Sequence, residues 1–135
     1  LGFDRSARRS LNRGLIEVAL DAYGWTGPWA ARRGFDSLVQ MSCGIAHAGM
    51  EWAGRTEPVP LPVQALDHAT GYLMAAAVLR ALIAGVRGDG VRTARLSLAR
   101  TGALLSSHRT DGPTAMAHEA GPGDFMAHVE QTPWG

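Results

Sequence analysis

Apolar residues recur at the spacing of amphipathic helices over several parts of the chain. An aspartate in front of the first of these segments is a preferred N-cap residue. The segment at 68–86 is apolar nearly all round, which is typical of a helix that is buried on most sides. The predicted helices are 5–12 with Asp4 as N-cap, about 35–48 ending near Gly49, about 68–86 directly after Asp67, and one around Leu104 and Leu105.

Shorter apolar runs predict strands between these helices. Residues 15–20 are a short, mostly apolar run bounded by Gly14 and Asp21, typical of a strand in a parallel sheet, and residues 91–98 alternate behind the Gly88–Asp89–Gly90 turn. A very short third strand is predicted at 63–66. This alternation of helices and strands predicts an α/β fold. Because sheets usually have roughly five or six strands, we expect further strands from another part of the protein or from a partner.

Two segments have the composition of loops. Residues 21–34 follow a predicted strand and contain three glycines, a proline and three large aromatic residues. Open α/β sheets bind their ligands at this end of a strand. From Ser106 onward the chain is rich in Gly, Pro, Thr and His, which predicts a loop or linker over 106–135. Since the sequence begins with Leu1 rather than Met, we expect a piece of a longer protein.

Composition and charge narrow the class of protein. With 46% hydrophobic and 19% charged residues and a net charge of +1, the 135 residues are expected to form one folded domain. Cys43 is the single cysteine, and the first residues lack the charged-then-apolar pattern of a leader, so a cytoplasmic location is expected. Scattered arginines with a pI of 8.2 argue against nucleic acid as a partner. Arg80 interrupts the most apolar run, which argues against a membrane partner.

Asp67 is the first candidate for chemistry. It follows a short apolar run and precedes the longest predicted helix, so its carboxylate is expected over the first turn. Free backbone N–H groups and the helix dipole stabilise an anion there, as a carboxylate nucleophile requires. Aspartate is also a preferred N-cap residue, and that role alone would explain its position.

The loop at 21–34 supplies further candidates. Its glycines would let a ligand approach the backbone, and Arg32 and Arg33 could hold a phosphate by forked hydrogen bonds. The alternative is an ordinary connection with a solvated arginine pair. No dinucleotide-binding or P-loop sequence occurs. No metal site is predicted either, because the histidines lack the spacing of helical metal ligands; they are His47, His68, His108, His118 and His128.

Several short motifs resemble, in order and spacing, those of the class III CoA-transferases, also called the CaiB/BaiF type. They are LNRGLI at 11–16, YGWTGP at 23–28, RRGFD at 32–36 and DHATG at 67–71. The resemblance covers about residues 1–105. It implies that 1–105 is part of a large domain with a Rossmann-like parallel sheet and flanking helices, that 106–135 leads toward a small domain, and that the enzyme is an interlocked homodimer.

The resemblance also implies a chemistry. Asp67 would attack an acyl-CoA thioester, giving a mixed anhydride and then an aspartyl-CoA thioester, from which CoA passes to a carboxylic acid. Tyr23, Gly24 and Arg32 would lie along the coenzyme A site. Related racemases carry histidine where this chain has Phe35, so transfer is favoured. A racemase-like isomerase of acyl-CoA and a non-catalytic interaction module are the alternatives.

Overall fold

The computed structural model describes residues 2–90, 92–108, 121 and 123. Helices and strands alternate along the chain, as the sequence pattern predicts. In chain order they are α1 (Arg5–Leu11), β1 (Glu17–Asp21), α2 (Asp36–Ser42), α3 (Ile45–Trp52), α4 (Ala65–Val86), β2 (Thr93–Ser97) and α5 (Leu98–Ser107). Helix α5 therefore extends past Ser106, where a loop was predicted. The predicted linker over 109–135 lies outside the described residues apart from 121 and 123, and the predicted division of domains stays a prediction.

The two strands form a parallel pair. Glu17 lies opposite Thr93 and Asp21 lies opposite Ser97, so both strands end at the same edge of the sheet. Helices α2, α3 and α4 lie between the strands in sequence, and the predicted α/β arrangement is confirmed. The third predicted strand is wrong. Val63 has φ of 53°, which extended backbone does not adopt, and Leu66 already belongs to α4.

The predicted helix over 35–48 is two helices. Helix α2 ends at Ser42, and Gly44 precedes α3 with φ of 86°. This left-handed conformation costs little for glycine because it has no Cβ atom, and it changes the direction of the chain between the helices. Gly49, predicted as a helix end, lies inside α3. The segment after α3 returns against it, where the Val59 N–H donates to the Ala46 carbonyl at 2.9 Å.

The buried core lies between the sheet and the helices. It contains Ala22, Val39, Leu66 and Leu98, with Tyr23, Cys43, Ile45 and Ala99 packed around it. Helix α4 contributes one buried stripe, formed by Leu66, Thr70 and Ala81. The Thr70 and Thr101 hydroxyls share a buried hydrogen bond of 2.7 Å, which joins α4 to α5.

The prediction that α4 is buried on most sides is wrong for the described part of the chain. Among those residues nothing covers its outward face, and Tyr72, Leu79 and Val86 are 78%, 61% and 90% exposed. By length and composition alone, α4 is also apolar enough to cross a membrane. A core helix of a soluble protein passes the same test, so this property is weak evidence for a membrane span.

The N-terminal helix is attached to the sheet by an ion pair. The predicted cap is confirmed, since Asp4 Oδ1 accepts from the Ala7 N–H at 2.8 Å. Nε of Arg8 donates to Glu17 Oε1 at 3.1 Å, and Arg5 lies 3.9 Å from the same carboxylate. The hydrogen bond from Arg8 lowers the pKa of Glu17 below its usual 4.5; partial burial opposes this, and the charges of Arg8, Arg5 and Arg9 add to the lowering.

We therefore expect α1 to detach in acid. Because the folded-state pKa of Glu17 is lower than that of the unfolded chain, its contribution to stability is complete above the unfolded pKa and is lost as the pH falls through the folded pKa. An NMR titration of the Glu17 carboxyl carbon should give a pKa below 4.5, and Arg8→Gln should raise it. An equal pKa in both proteins would contradict the assignment.

Candidate active site

The loop after β1 is folded back at the carboxyl edge of the sheet. Asp21 Oδ1 accepts hydrogen bonds from the backbone N–H groups of Tyr23 and Gly24, both at 2.9 Å. Gly24 has φ of 89°, in the left-handed region that favours glycine. The Tyr23 hydroxyl lies 2.9 Å from the Ser42 hydroxyl oxygen. These contacts hold the start of the loop against the end of α2.

Aromatic and cationic side chains gather further along the same loop. The Tyr23 ring meets Trp29 edge to face with centroids 5.0 Å apart, and the Arg32 guanidinium lies 4.4 Å from the Trp29 ring centroid. Such stacking holds a guanidinium in place while leaving its N–H donors available. Arg32 and Arg33 are exposed and line a cleft of about 720 Å³ between the loop and α2. Tyr23 and Arg32 thus meet on Trp29, but of the three predicted coenzyme A residues only Arg32 lines this cleft; Tyr23 and Gly24 do not.

Asp67 lies in the first turn of α4 but is not the N-cap residue. The helix begins at Ala65 and its N-cap is Gln64, whose side chain makes no capping hydrogen bond. The N-cap interpretation of Asp67 is therefore wrong. Its side chain is exposed, and its carboxylate accepts no hydrogen bond from any residue that the structure describes. The free N–H end of the helix dipole favours an anion at this place.

A second cleft, of about 280 Å³, opens beside Asp67. Its walls come from the start of α2, the segment before α4 and the first turn of α4. Phe35 is 67% exposed and lines both clefts, so the cleft of the arginine pair and the cleft of Asp67 adjoin at this residue. The residues around the smaller cleft are Phe35, Asp36, Ser37, Gln40, Pro60, Leu61, Val63, Gln64 and Asp67.

Two buried polar residues form the floor of this arrangement. Asp36 and Gln40 are 3% and 1% exposed. Asp36 Oδ2 accepts from the Asp67 backbone N–H at 2.9 Å, and Asp36 Oδ1 accepts from Gln40 Nε2 at 2.5 Å. Gln40 Oε1 in turn accepts from the Leu61 N–H at 2.7 Å. Every buried nitrogen and oxygen atom of these two side chains has a hydrogen-bond partner within the described structure.

Sequence reasoning missed this pair. From the sequence, Asp36 was noted only as the last residue of the RRGFD motif, and Gln40 was not noted as a candidate. The one local signal was two polar residues four positions apart on a helix that is otherwise apolar on that side. Their partners Leu61 and Asp67 lie 21 and 31 residues further along the chain, beyond the reach of periodicity.

The structure shows no grouping of metal ligands in the parts it describes. No three His, Cys, Asp or Glu side chains within residues 2–90 and 92–108 lie close enough together to hold an ion. The described residues of the two clefts offer an exposed carboxylate and an apolar ring in the smaller cleft, and two guanidinium groups in the larger one.

Comparison with known proteins relates the whole segment to one family. The sequence profile of CoA-transferase family III matches residues 1–130. The chain is 39% identical over 83 residues to the probable fatty acyl-CoA transferase Rv3272 of Mycobacterium tuberculosis, covering 62% of this chain and 21% of that protein. It is 37% identical over 75 residues to the acetyl-coenzyme A transferase nodX of Hypoxylon pulicicidum, covering 56% of this chain and 13% of the relative.

Solved structures agree with the sequence comparison. A crystal structure of the same Mycobacterium tuberculosis protein superposes with a TM-score of 0.67 at 33% identity, over 78% of this chain and 30% of that one. A CaiB/BaiF family protein from Brucella suis superposes with a TM-score of 0.61 at 26% identity, over 77% and 27%. The chain thus spans less than a third of the length of these proteins.

Proposed function

Since this chain belongs to CoA-transferase family III, we propose that it serves in the transfer of CoA from an acyl-CoA to a carboxylic acid, with Asp67 as the covalent nucleophile. One observation carries the proposal. The Asp67 carboxylate is exposed in the first turn of α4, accepts no hydrogen bond from the described residues and lines a cleft. A nucleophile needs free lone pairs and room for an electrophile.

The proposed reaction balances without an added acid or base. An Asp67 oxygen attacks the thioester carbonyl carbon, the C–S bond breaks, and CoA thiolate leaves a mixed anhydride behind. The thiolate then attacks the Asp67 carbonyl carbon and expels the donor as a carboxylate, giving an aspartyl-CoA thioester. The acceptor carboxylate displaces the thiolate to form a second anhydride. Attack of the thiolate on the acceptor carbonyl forms the new thioester and releases Asp67.

The larger cleft suits the nucleotide end of coenzyme A. Arg32, held over Trp29, and Arg33 beside it provide forked donors for phosphate oxygens. We propose that Tyr23 supports this cleft through Trp29 and that Gly24 acts by shaping the turn, since it does not line the cleft itself. The thiol arm would then pass the exposed ring of Phe35 to reach Asp67.

The two alternatives are less well supported. A racemase needs two groups that move protons at opposite sides of the carbon next to the carbonyl. The smaller cleft offers two carboxylates, but both oxygens of Asp36 are engaged by hydrogen bonds, and Phe35 cannot move a proton. A non-catalytic module would use Asp67 as a cap, which it is not. The interlocked homodimer and the cytoplasmic location stay predictions.

Replacing Arg32 tests the proposed coenzyme A cleft. We expect Arg32→Ala to raise the KM for acyl-CoA about tenfold, because a charge-assisted bond to a phosphate is lost from an exposed site, with little change in kcat. Steady-state kinetics at two salt concentrations measure it. Arg87→Ala is the matched control, since Arg87 is an exposed arginine at the far end of α4. Equal effects of both substitutions would contradict the assignment.

Oxygen-18 in the acceptor tests the covalent route. In the steps above, the bridging oxygen of the second anhydride comes from the acceptor and stays with Asp67. After one turnover with an acyl-CoA and an ¹⁸O-labelled carboxylic acid, the peptide that contains Asp67 should therefore carry one heavy oxygen. Transfer of CoA without label on that peptide would show direct attack of the acceptor on the acyl-CoA. Absence of transfer across several donors would favour the interaction module.

A further inference from the structure

We infer that Asp36 is a positioning residue that acts through the backbone of Asp67 and, with Gln40, holds the nucleophile and the opposite wall of its cleft in one hydrogen-bonded unit. This inference rests on the proposed role of Asp67. Asp36 itself lies buried beneath the cleft and is not assigned any contact with substrate.

Helix α4 begins without a capping side chain of its own. A helix begins with free N–H groups that need acceptors, and the side chain of the N-cap residue usually supplies one. Gln64 supplies none. The acceptor instead comes from another helix, because Asp36 in the first turn of α2 accepts from the Asp67 N–H at 2.9 Å. Because the backbone of Asp67 itself makes this bond, the bond fixes the position from which the Asp67 side chain extends.

The cleft wall that faces Asp67 is joined to Asp36 through Gln40. Gln40 donates to Asp36 through Nε2 and accepts from the Leu61 N–H through Oε1. Leu61 belongs to the extended segment before α4, which lines the cleft together with Asp67. A movement of Asp36 would therefore displace both sides of the cleft together.

The hydrogen bonds of Asp36 and Gln40 each have a defined donor and acceptor. Asp36 accepts on both oxygens, whereas Gln40 donates on one side and accepts on the other. An asparagine at position 36 has one accepting oxygen and one donating nitrogen, so it cannot serve the Asp67 N–H and Gln40 Nε2 together. Because the site is buried, water does not replace the missing acceptor easily.

This polarity gives a paired test in the full-length protein. Asp36→Asn breaks one bond of the chain. Adding Gln40→Glu restores all three, because the glutamate can accept both from the new amide nitrogen and from the Leu61 N–H while the amide oxygen accepts from the Asp67 N–H. The measurement is the single-turnover rate of Asp67 acylation by a short acyl-CoA, followed by rapid quench, together with the KM for that acyl-CoA. Glu51→Gln, on the exposed side of α3, is the control.

We expect Asp36→Asn to slow acylation about 100-fold at saturating acyl-CoA with KM nearly unchanged, since a displacement of about 1 Å has effects of this size on a reacting group. The double variant should recover to within about threefold of the original rate. A merely structural role would lower the melting temperature and the amplitude of the reaction, but not its rate in the folded fraction. A wild-type rate in Asp36→Asn would overturn the inference.

The double variant keeps the test decisive if Asp36→Asn does not fold. A double variant that melts like the wild type but acylates about 100-fold more slowly would overturn the inference. Amide hydrogen exchange tests the positioning role of Asp36 independently of the proposed role of Asp67 as nucleophile. Protection of the Asp67 N–H should fall at least about tenfold in Asp36→Asn and return in the double variant, whether or not Asp67 is acylated. Unchanged protection would show that Asp36 does not hold this turn.

Discussion

Asp67→Asn is expected to lower the rate of CoA transfer by about 10⁴-fold or more, which is the scale at which loss of a covalent nucleophile acts. Asparagine has the same shape as aspartate, but its amide oxygen does not form an anhydride with an acyl group. Every later step of the proposed reaction depends on the anhydride at Asp67. We therefore expect both the rate of transfer and the acylation of the protein to disappear together.

The same substitution should leave the fold intact. The Asp67 carboxylate is exposed and accepts no hydrogen bond from the described residues, and the contact to Asp36 is made by the backbone N–H, which the substitution keeps. The free energy of unfolding should change by no more than about 0.5 kcal/mol, as for other exposed positions. Urea unfolding measures this change. A loss of stability with transfer retained would return Asp67 to a structural role.

Asp89→Asn provides the matched control. Asp89 is an exposed aspartate in the turn that follows α4, away from both clefts. The Asp89→Asn substitution removes one negative charge, as Asp67→Asn does, but changes no residue of the proposed site. Transfer activity should stay within about twofold of the wild type, since surface charges act weakly at a distance in salt solution. A large loss in this control would mean that net charge, not the nucleophile, accounts for the effect.

Gly49→Ala is expected to destabilise the fold by about 3 kcal/mol or more, the range of strongly overpacked positions. A Cβ atom at position 49 would lie 2.1 Å from the Val59 carbonyl oxygen, which belongs to backbone and cannot swing away. Either α3 or the segment at Val59 must move, and the Val59 N–H would then lose its bond to the Ala46 carbonyl. The better helix propensity of alanine returns only about 1 kcal/mol.

Gly71→Ala separates this clash from the general effect of removing a helical glycine. Gly71 lies inside α4, and no described atom comes within 4 Å of an added Cβ there. We expect Gly71→Ala to raise the free energy of unfolding by about 0.5–1 kcal/mol, because it lowers the entropy of the unfolded chain and because alanine has the better helix propensity. Equilibrium urea unfolding of both variants measures the contrast. Equal stability of the two would show that α3 and the Val59 segment are not packed as described.

Local features of the fold could be predicted from the sequence where the cause is local. Asp4 caps α1 because an aspartate stands at the right place before a helical segment. The two strands were predicted from a short apolar run bounded by turn residues at 15–20 and from alternation behind a turn at 91–98. The break at Gly44 was missed because glycine within a helical pattern is compatible with both a continuous and a broken helix, and only its φ of 86° decides.

The burial of α4 could not be predicted from its composition. A helix that is apolar nearly all round is expected to be buried on most sides, but only one stripe of α4 faces the sheet and the neighbouring helices. Its outward residues are exposed among the described parts of the chain. The pattern reports which surface is apolar, whereas burial depends on what else is present to cover it.

The candidate site was predicted only in part, because some of its features are local in sequence and others depend on distant segments. The sequence predicted Asp67 directly before the helix with its carboxylate over the first turn, whereas the structure places Asp67 inside that turn as the third residue of α4 and rejects the capping role. The resemblance to CoA-transferase family III is confirmed by the family match over residues 1–130. Asp36 and Gln40 were missed because their contacts join segments that are distant in sequence.

Trapping the intermediate with hydroxylamine shows whether Asp67 is the covalent nucleophile. The full-length protein is incubated with a short acyl-CoA, quenched with hydroxylamine and digested, and the peptide that contains Asp67 is analysed by mass spectrometry. We expect a hydroxamate at Asp67 that forms only when acyl-CoA is present and is absent from Asp67→Asn. An unmodified Asp67 in a protein that transfers CoA under the same conditions would contradict it.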